Sequence, residues 1–169
     1  RNVKLFCDDF NLHESDFIEK IVTNTFTEKE LKHFINIITI GETHFFRDQK
    51  LFYELQNSIF PNLLKENQTL NALSMGCSTG EEPYSLAIVF DKVSKGYNKK
   101  LFVDSIDINK ISLAKAKEGV YSEWSFRNTP MWVKSEYFTH SKNSYIINKN
   151  IKEAVNFEFF NLNEIENKF

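Results

Sequence analysis

Apolar residues recur at helical spacing through the first third of the chain. Phe17, Ile18, Ile21 and Val22 share one face of a predicted helix over residues 13–24. Thr27 and Glu30 make a capping box, and Leu31, Phe34, Ile35 and Ile38 continue behind it, with Gly41 as the expected stop. Asp48 is placed to cap a third helix, 49–60, burying Leu51, Phe52, Leu55 and Ile59, and Pro61 is expected to end it. The pattern then changes. Residues 70–75 (LNALSM) and 101–106 (LFVDSI) read as strands, each followed by a helix, 82–95 and 110–118. Leu86, Val89, Phe90 and Val93 face inward from the first of these helices. Asn109 caps the second and Gly119 closes it. Residues 137–150 read as a small β-hairpin, and VNFEFF (155–160) alternates as a third sheet strand. A helical segment followed by alternating strands and helices predicts an α/β domain on a parallel sheet. The expected division is a helical region with its linker over 1–62 and the α/β domain over 63–169.

Composition narrows the class. A chain of 169 residues with 41% hydrophobic content can bury a true core. The net charge of −2 gives no strong pull toward nucleic acid or an anionic membrane. Cys7 and Cys77 form neither a metal spacing nor a disulfide framework, so a reducing cytoplasm is the expected setting. No run of eighteen apolar residues predicts membrane insertion. The chain opens on Arg1 and closes on NEIENKF, and it is expected to be a piece of a longer protein.

The candidate chemistry lies in four stretches. In MGCSTGEEPYS, Gly76 and Gly80 bend the chain where the first strand gives way to a helix, the place where open α/β sheets bind ligands. The small residues admit a ligand to the backbone. Glu81 and Glu82 would repel a pyrophosphate, so the turn suits a cofactor carrying a cation, as S-adenosylmethionine does. They equally suit the first turn of any helix. Asp107, at the end of the second strand, is spaced to accept a ribose diol. It also suits a helix cap, which Asn109 can provide as well. In GETHFFRD, Thr43 offers a hydroxyl and Arg47 a planar cation able to clamp a carboxylate, beside Phe45 and Phe46. An interface salt bridge is the plainer use of that arginine. Asn161 and Leu162 follow the third strand, where an asparagine commonly serves a turn.

Taken in order, GETHFFRD, MGCSTGEEPYSLA, SIDINKISLAKAKEGVY and VNFEFFNL resemble the CheR-type chemotaxis-receptor glutamate methyltransferases, over roughly Phe34 to Leu162. The resemblance implies a class I S-adenosylmethionine-dependent, Rossmann-like methyltransferase domain. A small helical domain would precede it, and a small antiparallel β-subdomain would sit within it. It carries Thr43, Arg47, Glu82, Asp107, Asn161 and Leu162 over as cofactor-site residues, with Gly76 and Gly80 in the cofactor turn and Arg47 as the catalytic residue. Gly41 stands where the family has asparagine. A later tyrosine-bearing C-R-N-x-x-I-Y-F segment has no match, so the chain alone is expected to be weakly active or inactive. The implied reaction moves the methyl group of S-adenosyl-L-methionine to a receptor glutamate carboxylate, leaving S-adenosyl-L-homocysteine. The implied partner is the cytoplasmic domain of methyl-accepting chemotaxis receptors. A glutamate is already ionised near neutral pH, so no general base is demanded, and His13, His33, His44 and His140 are bystanders. The 137–150 hairpin is a candidate dock for a receptor tail. The alternative within this fold is a non-catalytic module that binds S-adenosylmethionine or S-adenosylhomocysteine. A nucleic-acid methyltransferase would want a basic face and a base-flipping loop, and a nicotinamide enzyme would want the full glycine fingerprint; neither feature is present.

Overall fold

The computed structural model describes residues 2–39 and 41–167, with side chains through Glu164. The chain divides into two compact units, Arg1–Ile40 and Gly41–Phe169. The boundary therefore falls at 40/41, not at 62/63 as the change of pattern suggested. The reason is packing. Phe52, Leu55, Phe60 and Leu64 belong to the same buried cluster as Phe90 and Val103, so the helix after Asp48 is part of the α/β core.

The first unit holds three helices, α1 (Asn2–Phe10), α2 (Glu14–Thr23) and α3 (Glu28–Ile38). The pattern reading missed α1, whose Phe6 is fully buried beside Cys7 and Phe17. Four phenylalanines, Phe10, Phe17, Phe26 and Phe34, lie within 6 Å of the Phe6 ring, centroid to centroid. The predicted apolar stripe of α2 is only partly used. Phe17 is buried, but Ile18, Ile21 and Val22 are exposed. The capping box is present: Thr27 Oγ1 accepts from the Glu30 amide, and the Thr27 amide donates to Glu30 Oε2 at 2.7 Å. α3 ends at Thr39 rather than Gly41.

The second unit begins with a helix in three sections, α4 (Gln49–Glu54), a π-turn (Leu55–Ile59) and α5 (Phe60–Glu66). Pro61 does not end it. The π-turn takes the Phe60 amide back to the Leu55 carbonyl, and Pro61 sits at the start of the next section, where its missing N–H costs nothing. Leu51 and Ile59 are exposed, unlike Phe52 and Leu55. Next come β1 (Thr69–Met75), α6 (Glu81–Ser94), β2 (Lys100–Asp107) and α7 (Lys110–Glu118). β3 (Val120–Tyr121) leads to a 3₁₀ turn (Glu123–Phe126) and α8 (Met131–Tyr137). The hairpin β4 (Phe138–Ser141) and β5 (Ser144–Ile147) follows, then α9 (Lys149–Glu153) and β6 (Val155–Phe159). β1, β2 and β6 form a parallel sheet with β2 in the centre. The predicted hairpin gains β3 as a third strand, giving the order β3-β5-β4. β3, the 3₁₀ turn, α8 and α9 were not foreseen. The helical pieces are each shorter than two full turns and β3 spans a single strand period, so no repeat marks them. Among the described residues no helix is long and apolar enough to cross a membrane.

The capping box makes the first unit acid-sensitive. Backbone and hydroxyl hydrogen bonds from Thr27 hold the Glu30 carboxyl below its usual range, and Lys20 at 3.1 Å adds to this. That stabilisation is complete above about pH 4.5 and is lost as pH falls through the depressed native value. Chemical denaturation across acid pH should show a shallower acid loss for Glu30→Gln than for the parent chain. Thr27→Ala should cost about 1 kcal/mol.

Candidate functional site

The carboxyl ends of β1 and β2 carry the two turns that build the site. Both the Gly76 and Cys77 amides donate to the Ile106 carbonyl, at 2.8 and 3.1 Å, which draws the first turn across the end of β2. Asp107 completes the link. Its Oδ2 accepts from the Ser78 amide and its Oδ1 from the Asn109 amide, each at 2.7 Å. The cap of α7 is Asn109, whose Oδ1 accepts from Ile111 and Ser112. Asp107 is therefore a tie between loops and not a helix cap, and each of its oxygens keeps a further lone pair.

The two glycines act differently. Among the described residues nothing lies within 4 Å of where a Cβ on Gly76 (φ +73°) would stand, so the backbone there is open to a ligand. Gly80 (φ +94°) is closed in by Ala116, Phe157 and Tyr121 at 3.0–3.1 Å, and it is the N-cap of α6. Next to it the paired glutamates diverge. Glu81 is 3% exposed, accepting from Thr79 Oγ1 at 2.6 Å and Ser125 Oγ at 3.1 Å. Burial raises its carboxyl above the usual range, against those hydrogen bonds and the nearby Arg127. Glu82 is exposed and accepts from Ser74 Oγ at 2.8 Å. Burial and the neighbouring Asp107, with a smaller push from Glu82, carry the Cys77 thiol up to about 12, so it stays protonated at neutral pH. One glutamate is thus scaffold and the other faces solvent beside the open turn.

The loop of GETHFFRD docks onto this frame by backbone bonds. The Phe46 amide, at φ +58°, donates to Ser85 Oγ, whose hydroxyl donates to the Glu81 carbonyl at 2.6 Å. The Phe45 amide donates to the Ser125 carbonyl, and Thr129 Oγ1 to the Phe45 carbonyl, both at 2.9 Å. Phe45 stacks on Phe126 with centroids 4.9 Å apart. Gly41 approaches Ser78, so that a Cβ there would meet Ser78 Oγ at 3.2 Å. Thr43 is half-buried and Arg47 exposed, with Arg47 Nη1 on the Glu42 carbonyl at 3.1 Å. His44 is held neutral by burial and by Arg127 and Arg47, which fits it poorly for acid–base work as a cation.

Thr43, Arg47, Gly76, Gly80, Glu82 and Asp107 are therefore joined through the 41–48 loop, the 76–80 turn and the end of β2. Asn161 and Leu162 follow β6, where the Phe160 amide bonds the Asp107 carbonyl. Asn161 Oδ1 accepts from the Asn163 amide as an ordinary turn, and Leu162 is exposed. The sequence reading missed Ser85, Ser125, Arg127 and Thr129. The signal was the run SEWSFRNT after β3, polar and aromatic without period, like GETHFFRD itself. A separate hollow of about 520 Å³, lined by Phe46, Phe52, Tyr53 and Trp132, holds none of the turn residues.

The donor set fits a cationic, hydroxyl-bearing cofactor. An open glycine turn, a solvent-facing carboxylate and a second carboxylate with free lone pairs lie together. The buried Ser78 hydroxyl beside them makes no hydrogen bond among the described residues.

Comparison with known proteins agrees in extent and kind. The family described as CheR methyltransferase, SAM binding domain, matches residues 41–169. A chemotaxis protein methyltransferase of Borreliella burgdorferi is 32% identical over 87% of this chain and 53% of its own length. One of Campylobacter jejuni is 33% identical over 92% of this chain and 55% of its own. Chemotaxis protein methyltransferase 2 of Vibrio cholerae is 30% identical over 80% and 48%. The chain spans about half the length of these relatives.

Two outcomes follow for the turn. Gly80→Ala should cost about 2–4 kcal/mol, combining a left-handed alanine with overpacking, whereas Gly76→Ala should cost about 1 kcal/mol; urea midpoints compare them. Because burial raises the native Glu81 carboxyl, its contribution to stability falls as pH rises from about 4.5 through the raised value. Glu81→Gln needs no ionisation, so its unfolding free energy should lose that decline in the same titration.

Proposed function

Because this chain belongs to the CheR methyltransferase family through its S-adenosylmethionine-binding domain, we propose that it forms the cofactor half of a receptor glutamate O-methyltransferase. The substrate is the side-chain carboxylate of glutamates in the cytoplasmic domain of chemotaxis receptors. The product is a methyl ester, and the protein works in the cytoplasm without entering the membrane or binding nucleic acid. The relatives' names support this reading, being those of chemotaxis protein methyltransferases. The observation that carries it is the pairing of an open Gly76 turn with the carboxylates of Glu82 and Asp107 at the mouth of the sheet.

S-adenosyl-L-methionine, the cofactor of this domain family, supplies an activated methyl group on a sulfonium centre. In this reading Glu82 accepts a hydrogen bond from its ammonium group, and Asp107 uses its free lone pairs for the ribose hydroxyls. Asn161 and Leu162 serve the adenine. Thr43 and Arg47 close the site from the 41–48 loop, and Arg47 orients the incoming carboxylate. No side chain needs to take a proton, since a glutamate is ionised at neutral pH. The protein's contribution is placement, and positioning of this kind is worth about 7–11 kcal/mol of a barrier. Cys77 and His44 stay out of the chemistry, one protonated and the other neutral.

Calorimetry with S-adenosylhomocysteine tests the cofactor half. Glu82→Gln should weaken binding by about one to two orders of magnitude, the worth of a charge-assisted hydrogen bond of about 1.5–3 kcal/mol. Unchanged affinity removes Glu82 from the site. Transfer of labelled methyl to receptor fragments tests the reaction, and Arg47→Ala should slow it; wild-type rate and cofactor affinity together would refute the role of Arg47.

A further inference from the structure

Two guanidinium groups converge on one glutamate in the 41–48 loop. Arg47 donates to the Glu42 carbonyl, and Arg127 Nη2 meets Glu42 Oε1 at 3.2 Å. Arg127 was not among the residues picked from the sequence, yet it is the better held of the two. Its guanidinium lies 4.5 Å from the centre of the Trp124 ring, and its Nη1 donates to the carbonyls of Trp124 (2.9 Å) and Thr43 (3.4 Å). The side chain is 19% exposed. Stacking and two fixed carbonyls orient the group before any anion arrives. Its anionic partner is the opposite in character. The Glu42 side chain is 69% exposed and touches Arg127 through one oxygen, although a guanidinium can take a carboxylate with two. Exposed pairs of this kind are weak and exchange readily. Both arginines also face His44, and the Glu81 carboxyl lies near Arg127. Arg127 and Arg47 both help to keep His44 from taking a proton, and the buried Nδ1 of His44 makes no hydrogen bond among the described residues.

From this geometry we propose that Arg127, with Arg47, forms a carboxylate subsite for the protein substrate, and that Glu42 is the internal carboxylate the substrate displaces. The proposal rests on the reading that the substrate is a side-chain carboxylate. It adds a recognition residue and a built-in competitor. A pre-oriented cation suits this reaction because the nucleophile must stay ionised as water leaves it. An exchangeable glutamate pairs with the same half-buried cation between turnovers.

The test is a titration of the chain, saturated with S-adenosylhomocysteine, by glutarate, with neutral glutaramide as control. The Arg127 Nε–H resonance is followed by NMR and assigned by its loss in Arg127→Lys. Glutarate should shift that resonance and glutaramide should not. Glu42→Gln should bind glutarate about two- to fivefold tighter, the strength of an exposed ion pair. Arg127→Lys keeps the charge but loses the fork, and should weaken glutarate, read from the remaining arginine resonances, by about tenfold. Equal affinity in the parent chain and Glu42→Gln overturns the proposal, as does an equal response to glutaramide; neither reading depends on how well Arg127→Lys folds. Discrimination of glutarate from glutaramide by a chain that calorimetry shows not to bind S-adenosylhomocysteine would refute the enzymatic reading and leave the subsite standing. Transfer without discrimination between glutarate and glutaramide would do the reverse.

Discussion

A single carboxylate governs how this site is assembled. Asp107 closes β2, and its two oxygens receive the Ser78 amide on one side and the Asn109 amide on the other. The first bond holds the glycine turn after β1 and the second holds the start of α7. Without that anion the Ser78 amide, in a left-handed residue (φ +49°), would lose the acceptor that keeps the turn folded over the sheet. Everything placed by the turn then follows. Gly76 stays open, Gly80 starts α6, Glu81 turns inward and Glu82 outward. The same geometry leaves Asp107 with spare lone pairs at the sheet's mouth, so one side chain can build the site and serve a ligand there.

A second tier of hydrogen bonds fastens the 41–48 loop to this frame, and it runs through side chains with no charge to announce them. Ser85 bridges the Phe46 amide and the first turn of α6. Ser125 joins the Glu81 carboxylate through its hydroxyl and the Phe45 amide through its carbonyl. The run G-E-E-P-Y-S is accounted for by this division of labour. Glu81, Tyr84 and Ser85 are buried structural partners, with the Tyr84 hydroxyl on the Ala116 carbonyl, while Glu82 alone of the four faces out.

How much of this could be read from the chain depended on period and on punctuation. The parallel sheet, α6, α7, the Thr27 capping box and the Gly119 stop were legible, because each rests on spacing or on a residue whose backbone preference is distinctive. The hairpin was legible from its turn. The end of the helix at Pro61 was misread because a π-turn moves the hydrogen-bond register and leaves the proline harmless. The domain boundary was misread because helical periodicity does not say which core a helix joins. For the site, Asp107 and the glycines were visible by position after strands, but the opposite fates of Glu81 and Glu82 were not. Adjacent helical residues point about 100° apart, and only the arrival of Thr79 and Ser125 decides which one is covered. Arg127 lay in a stretch without period, where a sequence offers no face to reason from.

The division of the chain at 40/41 bears on how such a protein can change over time. Every hydrogen bond described for the site joins residues of the second unit, including those of the loop that begins at Gly41. The phenylalanine cluster around Phe6 gives the first unit a core of its own. Substitutions within that core can therefore accumulate without altering any side chain described for the site.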